Sequence, residues 1–174
     1  MSRPYPDTLV LSGRVLRVLT KLNLLMGSLI TVLLIASLIA DAWVMRALGV
    51  PPALSNPMLS IGMRLIMVGG ICAVPVVHFV LTRLLIIVRT VSTGNPFVAA
   101  NAARLQSIAW ALLVLELMNY AVGAVAASVS SAGVQLNISL DFSLTRWLAV
   151  LLLFVLARVF EQGAHMRDEL EGTV

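Results

Sequence analysis

Glu116 and His78 are the residues of this chain whose positions most favour chemistry, because each lies well inside a long apolar run. A charged side chain at the centre of a bilayer costs about 2.5–3.5 kcal/mol or more unless it is paired or neutralised. Asn119 and Tyr120 follow Glu116 by three and four positions, which places them on the same face of a helix. We interpret these four residues as an intramembrane polar site, in which Glu116 and His78 can meet across neighbouring helices. The site would bind a proton, a cation or a ligand, or would alternatively be a hydrogen-bonded clasp that fixes helix packing.

No other chemistry is indicated by the sequence. It contains no His-Glu-x-x-His, no Gly-x-Ser-x-Gly, no phosphate-binding loop and no dinucleotide-binding glycine motif. With two histidines and a single cysteine, Cys72, neither a metal cluster of familiar ligand spacing nor an internal disulfide is evident. We therefore expect a protein that is not an enzyme and that needs no metal and no cofactor.

The elements that would position the polar residues are four long apolar runs, near residues 22–44, 61–88, 105–128 and 144–160. A helix needs roughly 20 residues to cross the hydrocarbon of a bilayer, and each run meets or approaches that length. Charged residues make up only 11% of the chain and hydrophobic residues 60%, whereas about 25% of a soluble domain is charged. The sequence therefore predicts an all-α membrane protein, with four transmembrane helices in a single membrane domain over residues 1–174.

The basic residues predict the orientation of these helices. Arginine and lysine are concentrated before the first run, between the second and third runs, and at the C-terminal end. Because basic residues favour the cytoplasmic side, we expect residues 1–21, 89–104 and 161–174 to be cytoplasmic, with both termini there. The net charge is +4, and the basic residues sit at the ends of the apolar runs, where basic side chains reach lipid headgroups, so we expect no direct binding of nucleic acid.

Three shorter segments have their own patterns. Residues 8–21 are amphipathic, and they would form either a helix on the inner leaflet or a helical extension of the first span. Residues 134–142 alternate strictly between apolar and polar, which predicts a short β-strand on the outer side. Ser55-Asn56-Pro57 combines cap residues with proline, which predicts that the second helix begins at Pro57.

Charged residues near the ends of the runs have a simpler interpretation. Arg64, Arg83 and Arg158 are predicted to anchor their helices at the membrane interface. Asp41 lies between two alanines in a sequence that resembles a signal-peptidase site. The apolar run before it exceeds the usual length of about 7–15 residues for a signal sequence, so we expect the first span to be retained.

The predicted cytoplasmic segments contain the candidate partner-binding residues. Asn95 suits a helix cap, Pro96 suits the first helical position, and Phe97 is expected to anchor the turn in the bundle. The fourth helix is predicted to continue past the membrane, where Glu161 and His165 are four residues apart and can pair. Its acidic end would be either a docking point for a basic partner or a solvated tail, and it consists of Asp168, Glu169 and Glu171, followed by Thr173 and Val174.

These cytoplasmic segments resemble a known family. Thr93-Gly94-Asn95-Pro96-Phe97, followed by Asn101 and Leu105, is similar to the signature of the bacterial DUF2975 membrane proteins. The ending is similar through Val159-Phe160, Gly163, Arg167, Leu170 and Thr173-Val174, although many members end in Asp-Leu-Thr-Val where this chain has Glu171-Gly172-Thr173-Val174. The resemblance implies a four-span protein of the bacterial cytoplasmic (inner) membrane with no established enzyme activity. Members are often encoded beside a small helix-turn-helix regulator, which implies a membrane protein that holds such a regulator or signals to it.

Three functional hypotheses are consistent with these patterns. In the first, the chain binds a small helix-turn-helix transcription regulator at its cytoplasmic face, through residues 95–97 and the acidic end 168–174. In the second, it is an oligomeric small transporter, a channel or an ion-binding subunit that uses Glu116 and His78. Four helices enclose little space, so a pore would need several copies of the chain. In the third, it is a structural assembly partner.

Overall fold

The computed structural model describes residues 7–49, 57–94, 97–130 and 143–172. These residues form five helices, which are α1 (Asp7–Ile39), α2 (Asp41–Ala47), α3 (Pro57–Ser92), α4 (Ala99–Ser130) and α5 (Leu144–Gly172). No strand occurs within these ranges, and the strand predicted over residues 134–142 lies outside them. The predicted all-α class is confirmed for the part of the chain that the structure describes.

Three of the described helices are long and apolar enough to cross a membrane. The suitable stretches are Leu11–Ile39, Pro57–Ser92 and Ala99–Ser128. Large apolar side chains cover the outside of these helices, and Leu25 and Val32, for example, are 64% and 63% exposed. Apolar surface of this extent suits lipid rather than water. The fourth predicted span, near residues 144–160, is helical within α5. That it crosses the bilayer, and that both termini are cytoplasmic, remain predictions.

The N-terminal helix matches one of the two predicted alternatives. α1 is unbroken from Asp7 to Ile39, so residues 8–21 are a helical extension of the first span rather than a separate helix. Within the predicted span near residues 22–44, the backbone leaves the helix at Ala40 (φ −136°, ψ 61°) and resumes as α2. The interruption allows Asp41 to pair with a residue of α3, as described below.

The starts of α3 and α4 differ in how well the sequence predicts them. α3 begins at Pro57 as expected, and it ends before Gly94, whose left-handed φ of +86° terminates the helix. α4 begins at Ala99 instead of at the predicted Pro96. Phe97 and Val98 lie outside the helix, and the carbonyl of Val98 accepts the first hydrogen bond, from the Asn101 amide, at 2.8 Å.

The helices are divided between two compact units. The first unit comprises Met1–Leu22, Val77–Val114 and Ser143–Val174, and the second comprises Asn23–Val76 and Leu115–Phe142. Most buried side chains of the first unit come from α4 and α5, and they include Leu105, Ile108, Ala109, Val150 and Ala157. Buried side chains of the second unit include Ser37, Val44, Met45, Leu59 and Ala126.

Candidate functional site

A cleft of about 350 Å³ lies between α4 and α5 in the first unit. The α4 wall is formed by Ala99, Ala102, Ala103 and Gln106, and the α5 wall by Phe154, Ala157, Arg158, Glu161, Ala164 and His165. Residues three or four positions apart lie on one face of a helix, so each wall is a single helix face. The cleft exists because alanine is the commonest residue on both faces and leaves the space between them unfilled.

The segment that leads into α4 is held on α5 by an aromatic contact. The rings of Phe97 and Phe160 lie 5.2 Å apart between centroids, at an interplanar angle of 39°. Gly163 makes this approach possible, because a Cβ at that position would lie 2.9 Å from Cδ1 of Phe97. The predicted anchoring role of Phe97 is confirmed. Residues of the two segments that resemble the DUF2975 signature are thereby brought into contact.

A buried amide holds the turn between α3 and α4. Asn101 is fully buried, and its Oδ1 accepts a hydrogen bond from Arg104 Nη1 at 2.7 Å. The same oxygen lies 3.0 Å from Thr90 Oγ1, whose single proton is shared with the Ile86 and Ile87 carbonyls at 2.7 and 3.0 Å. These bonds join the last turn of α3 to the first turns of α4. They therefore fix the point from which Phe97 reaches α5, and the role of Asn101 is to position the surface rather than to contact a ligand.

The charged groups of the cleft are accessible. Arg158 Nη1 donates to Glu161 Oε2 at 2.8 Å, and the two side chains are 78% and 48% exposed. An exposed pair of this kind contributes about 1 kcal/mol or less to stability, so a partner could replace either member at little cost. His165, the predicted partner of Glu161, lines the same cleft. Within the described ranges, no group of three or more His, Cys, Asp and Glu side chains is placed to hold a metal ion.

The predicted partner-binding residues are only partly described. Phe97 is 44% exposed, and Glu169 is exposed near the end of α5. Asp168 and Glu171 lie in α5, where the structure describes their backbone. Four further predicted residues, Asn95, Pro96, Thr173 and Val174, lie outside the described residues. Partner binding by this set remains a prediction.

The residues of the predicted intramembrane site are distributed over both units. Glu116 belongs to the second unit and is only 7% exposed, whereas Asn119 is exposed and Tyr120 is half-buried. His78 belongs to the first unit and is half-buried, and its Nδ1 atom has no hydrogen-bond partner in the described part of the chain. A contact between Glu116 and His78 remains a prediction. The face that Glu116 and Asn119 were predicted to share contains one buried and one exposed polar group.

A second polar cluster, in the second unit, was not predicted from the sequence. Arg64 Nη2 donates to Asp41 Oδ1 at 3.0 Å and to the Ser37 carbonyl at 2.6 Å, and Ser60 Oγ donates to Asp41 Oδ2 at 2.8 Å. Arg64 thus places a cation at the C-terminal end of α1, and Asp41 places an anion in the first turn of α2, as the helix dipoles favour. The cluster explains the break at Ala40. Arg64 is an internal staple rather than only the predicted interface anchor.

These features define a class of protein, namely a membrane-type helical chain with an apolar exterior and a polar cleft in one of its two units. The family described as Protein of unknown function (DUF2975) matches residues 44–174, and the chain belongs to this family. The resemblance seen in the two sequence segments is therefore confirmed. A search of curated proteins and a search of solved structures each found no match.

Proposed function

We propose that the chain is a regulatory protein of the bacterial cytoplasmic membrane whose first unit binds a small helix-turn-helix DNA-binding protein. Binding would hold the regulator at the membrane and away from its operator. The proposal places both termini and the turn between α3 and α4 on the cytoplasmic side. It builds on the gene arrangement that the resemblance to DUF2975 implies, since membership of the family supplies no function by itself.

One observation carries this proposal, which is the contact of Phe97 with Phe160 and Gly163 in the first unit. The two sequence segments that resemble the family are far apart in the chain, yet this contact joins them into one surface beside the α4–α5 cleft. The joined surface is accessible, since Phe97 is 44% exposed and the cleft beside it is bordered by exposed charges, so it is available to a partner. The cleft is large enough to receive one or two side chains of that partner.

The charges of this surface suit a DNA-binding partner. DNA-binding proteins carry a basic face, and carboxylates are available on α5 at Glu161, in the cleft, and at Glu169, near the helix end. The sequence adds Asp168 and Glu171 close by. If the basic face that reads DNA is the one that docks, membrane binding and operator binding exclude each other. This competition would make the chain a regulator rather than a passive anchor.

The test is co-purification with cleft variants of the full chain. Tagged protein is extracted from its native membrane in detergent, and proteins that co-elute are identified by mass spectrometry. Ala103→Leu fills the cleft, while Ala100→Leu adds the same side chain at an exposed position of α4 outside it. We expect a small helix-turn-helix protein with the original chain and with Ala100→Leu, and about tenfold less with Ala103→Leu, because an obstructed contact of about 1.4 kcal/mol gives that ratio.

Removal of residues 159–174 provides a second arm of this test, because it deletes Phe160, Gly163 and half of the α5 wall. The regulator should then be lost from the eluate. Its occupancy of the operator should increase, because it is no longer held at the membrane. Failure to recover any helix-turn-helix protein with the original chain would refute the proposal. Equal recovery with Ala103→Leu and Ala100→Leu would place the partner elsewhere.

A second candidate function rests on Glu116, which is 7% exposed inside the apolar stretch Ala99–Ser128. An ionisable residue at such a depth is a candidate for ion or proton binding, and the chain would then act as an oligomeric transporter or channel subunit. Glu116→Gln should abolish proton or cation flux in proteoliposomes, and the matched control Glu161→Gln, on the exposed part of α5, should leave it unchanged. Proteoliposomes of the original chain without flux would exclude this function.

A further inference from the structure

A groove of about 370 Å³ lies between α3 and α4 in the second unit. Its α3 side includes three small residues, Gly69, Gly70 and Ala73, and its α4 side includes the larger Leu115 and Met118. Asn119, on α4, also lines the groove and is exposed. The groove thus has a hollow on one side, a ridge on the other, and a polar group between apolar side chains.

The depth of Asn119 makes this exposure unfavourable for an isolated chain. The apolar stretch of α4 runs from Ala99 to Ser128, so Asn119 lies five to six residues from its midpoint, or about 8 Å along the helix axis. The hydrocarbon extends about 15 Å to either side of the bilayer centre. The side-chain amide therefore faces lipid, where no water is available to its two N–H donors and its carbonyl.

We propose that a second copy of this chain occupies the groove, so that the two Asn119 amides hydrogen-bond to each other across a two-fold axis. An amide carries donors and an acceptor, and therefore complements a copy of itself. The groove also complements itself in shape, since Val122 of the same copy packs on Gly69 and the ridge at Leu115 and Met118 of one copy fits the remaining hollow beside Ala73 of the other. A two-fold interface requires this self-complementarity, and small residues allow the close approach of helices that such an interface needs in lipid.

Neighbouring residues of α4 support the assignment of this face. Glu116 is 7% exposed and is therefore the polar residue that this part of α4 directs into its own chain. Asn119 is exposed and is directed away from that interior. Leu117, two residues before Asn119, is 55% exposed, and two residues on a helix are about 200° apart. Leu117 thus marks a different face of the same helix at almost the same depth, which makes it a matched control.

The first test uses disulfide cross-linking in proteoliposomes. Cys72 is the only cysteine of the chain, so Cys72→Ser gives a background without thiols. Asn119→Cys and Leu117→Cys are then oxidised at increasing dilution in lipid. A disulfide needs Cα atoms within about 4.4–6.8 Å of each other, and oxidation traps the dimer as it forms. Asn119→Cys should therefore cross-link well above the random-collision level, although it lacks the amide and associates more weakly than the original chain. Leu117→Cys should cross-link only at the random-collision level, and equal cross-linking of the two would overturn the proposal.

The second test measures association by energy transfer between labelled copies of the otherwise unchanged chain. Asn119→Leu should weaken dimerisation about tenfold, because interhelical hydrogen bonds of amides contribute about 1–2 kcal/mol. Asn119→Gln keeps the amide and should retain most of the association. Helical circular dichroism of each variant distinguishes a lost contact from a lost fold. If correctly folded Asn119→Leu dimerises as well as the original chain, a lipid or another protein occupies the groove and the proposal fails.

Discussion

The first and second units draw on the same long helices but hold them together by different chemistry. In the second unit, glycines face β-branched side chains at very short range, since a Cβ at Gly27 or Gly69 would lie 2.8 Å or 2.5 Å from a methyl group of Val74 or Val122. An ion pair between Asp41 and Arg64 adds to this packing. The first unit instead uses a tilted contact between aromatic rings and a buried amide, and it leaves a cleft.

The difference indicates which unit is suited to which task. In lipid, helices gain little from burying apolar surface, so close backbone approach and polar staples supply the stability of a helix pair. The second unit follows this rule throughout its described contacts. The alanine faces of the first unit do not close on each other, and exposed charges border the space between them. The first unit is therefore the place to look for a soluble partner, and substitutions in the two units should behave differently.

The largest effect is expected from Arg64→Ala in the second unit. The substitution leaves the Asp41 carboxylate without its cation and the Ser37 carbonyl without its donor. We expect a loss of about 2.5 kcal/mol in the free energy of unfolding, since hydrogen bonds to charged groups contribute about 1.5–3 kcal/mol, and denaturant titration in mixed micelles measures it. Arg46→Ala, at an exposed position of α2, should cost little. The double variant Arg64→Ala/Asp41→Ala should recover part of the loss, and a fully additive double variant would show that the pair is not coupled.

A smaller loss is expected from Asn101→Ala in the first unit. The variant removes the acceptor of Thr90 and Arg104 from a site with no exposure. We expect a cost of about 2 kcal/mol, and a smaller cost of about 0.5 kcal/mol for Thr90→Val, because the Thr90 hydroxyl also reaches the Ile86 carbonyl of its own helix. The same micelle titration measures both. Gln106→Ala, an exposed amide on the same helix, is the control, and a cost equal to that of Asn101→Ala would contradict the positioning role of Asn101.

The same substitution of glycine by alanine can be compared in both units. Gly69→Ala places a Cβ 2.5 Å from Cγ2 of Val122. Valine has one strongly preferred rotamer in a helix, so its side chain cannot easily rotate away from the new methyl group. The cost of overpacking exceeds the gain in helix propensity, so the free energy of unfolding should decrease by about 1 kcal/mol. Val122→Ala should abolish this loss in the double variant. An unchanged loss in that background would show that the strain arises elsewhere.

The smallest effect is expected from Gly163→Ala in the first unit. The new Cβ lies 2.9 Å from the Phe97 ring, but this ring is 44% exposed and has room to tilt. The gain in helix propensity offsets most of the cost, so stability should change by about 0.5 kcal/mol or less. Co-purification of the proposed regulator should nevertheless decrease measurably, because the Phe97 ring moves within the surface that would bind it. A stability loss greater than that of Gly69→Ala would break the contrast between the two units.

Features set by local chemistry could be predicted from the sequence. Proline after two cap residues predicts the start of α3 at Pro57, and the apolar runs predict the long helices. The start of α4 was predicted three residues too early, because cap chemistry at Asn95 and Pro96 does not register the contact of Phe97 with α5. Tertiary packing keeps Phe97 and Val98 outside the helix.

Features set by contacts between distant residues could not be predicted. Asp41 and Arg64 are 23 residues apart, and neither lies in a pattern that points to the other. Hydropathy alone also does not show the break at Ala40, because the apolar run resumes after Asp41 and continues to Val44. In the candidate site, spacing predicts that Glu161 pairs with His165, whereas the structure pairs the Glu161 carboxylate with Arg158. The cleft arises from facing alanines on two helices, and only a structure reveals it.

The staple at Arg64 also has a consequence for how the chain is made. Synthesis proceeds from the N-terminus, so Asp41 leaves the ribosome 23 residues before the guanidinium that neutralises it. At about 5–20 residues per second, the interval lasts roughly 1–5 s. During that time the Asp41 carboxylate beside the end of α1 lacks its cation. We therefore expect α1 to reach its final position in the bilayer only together with α3, rather than as an independent insertion unit.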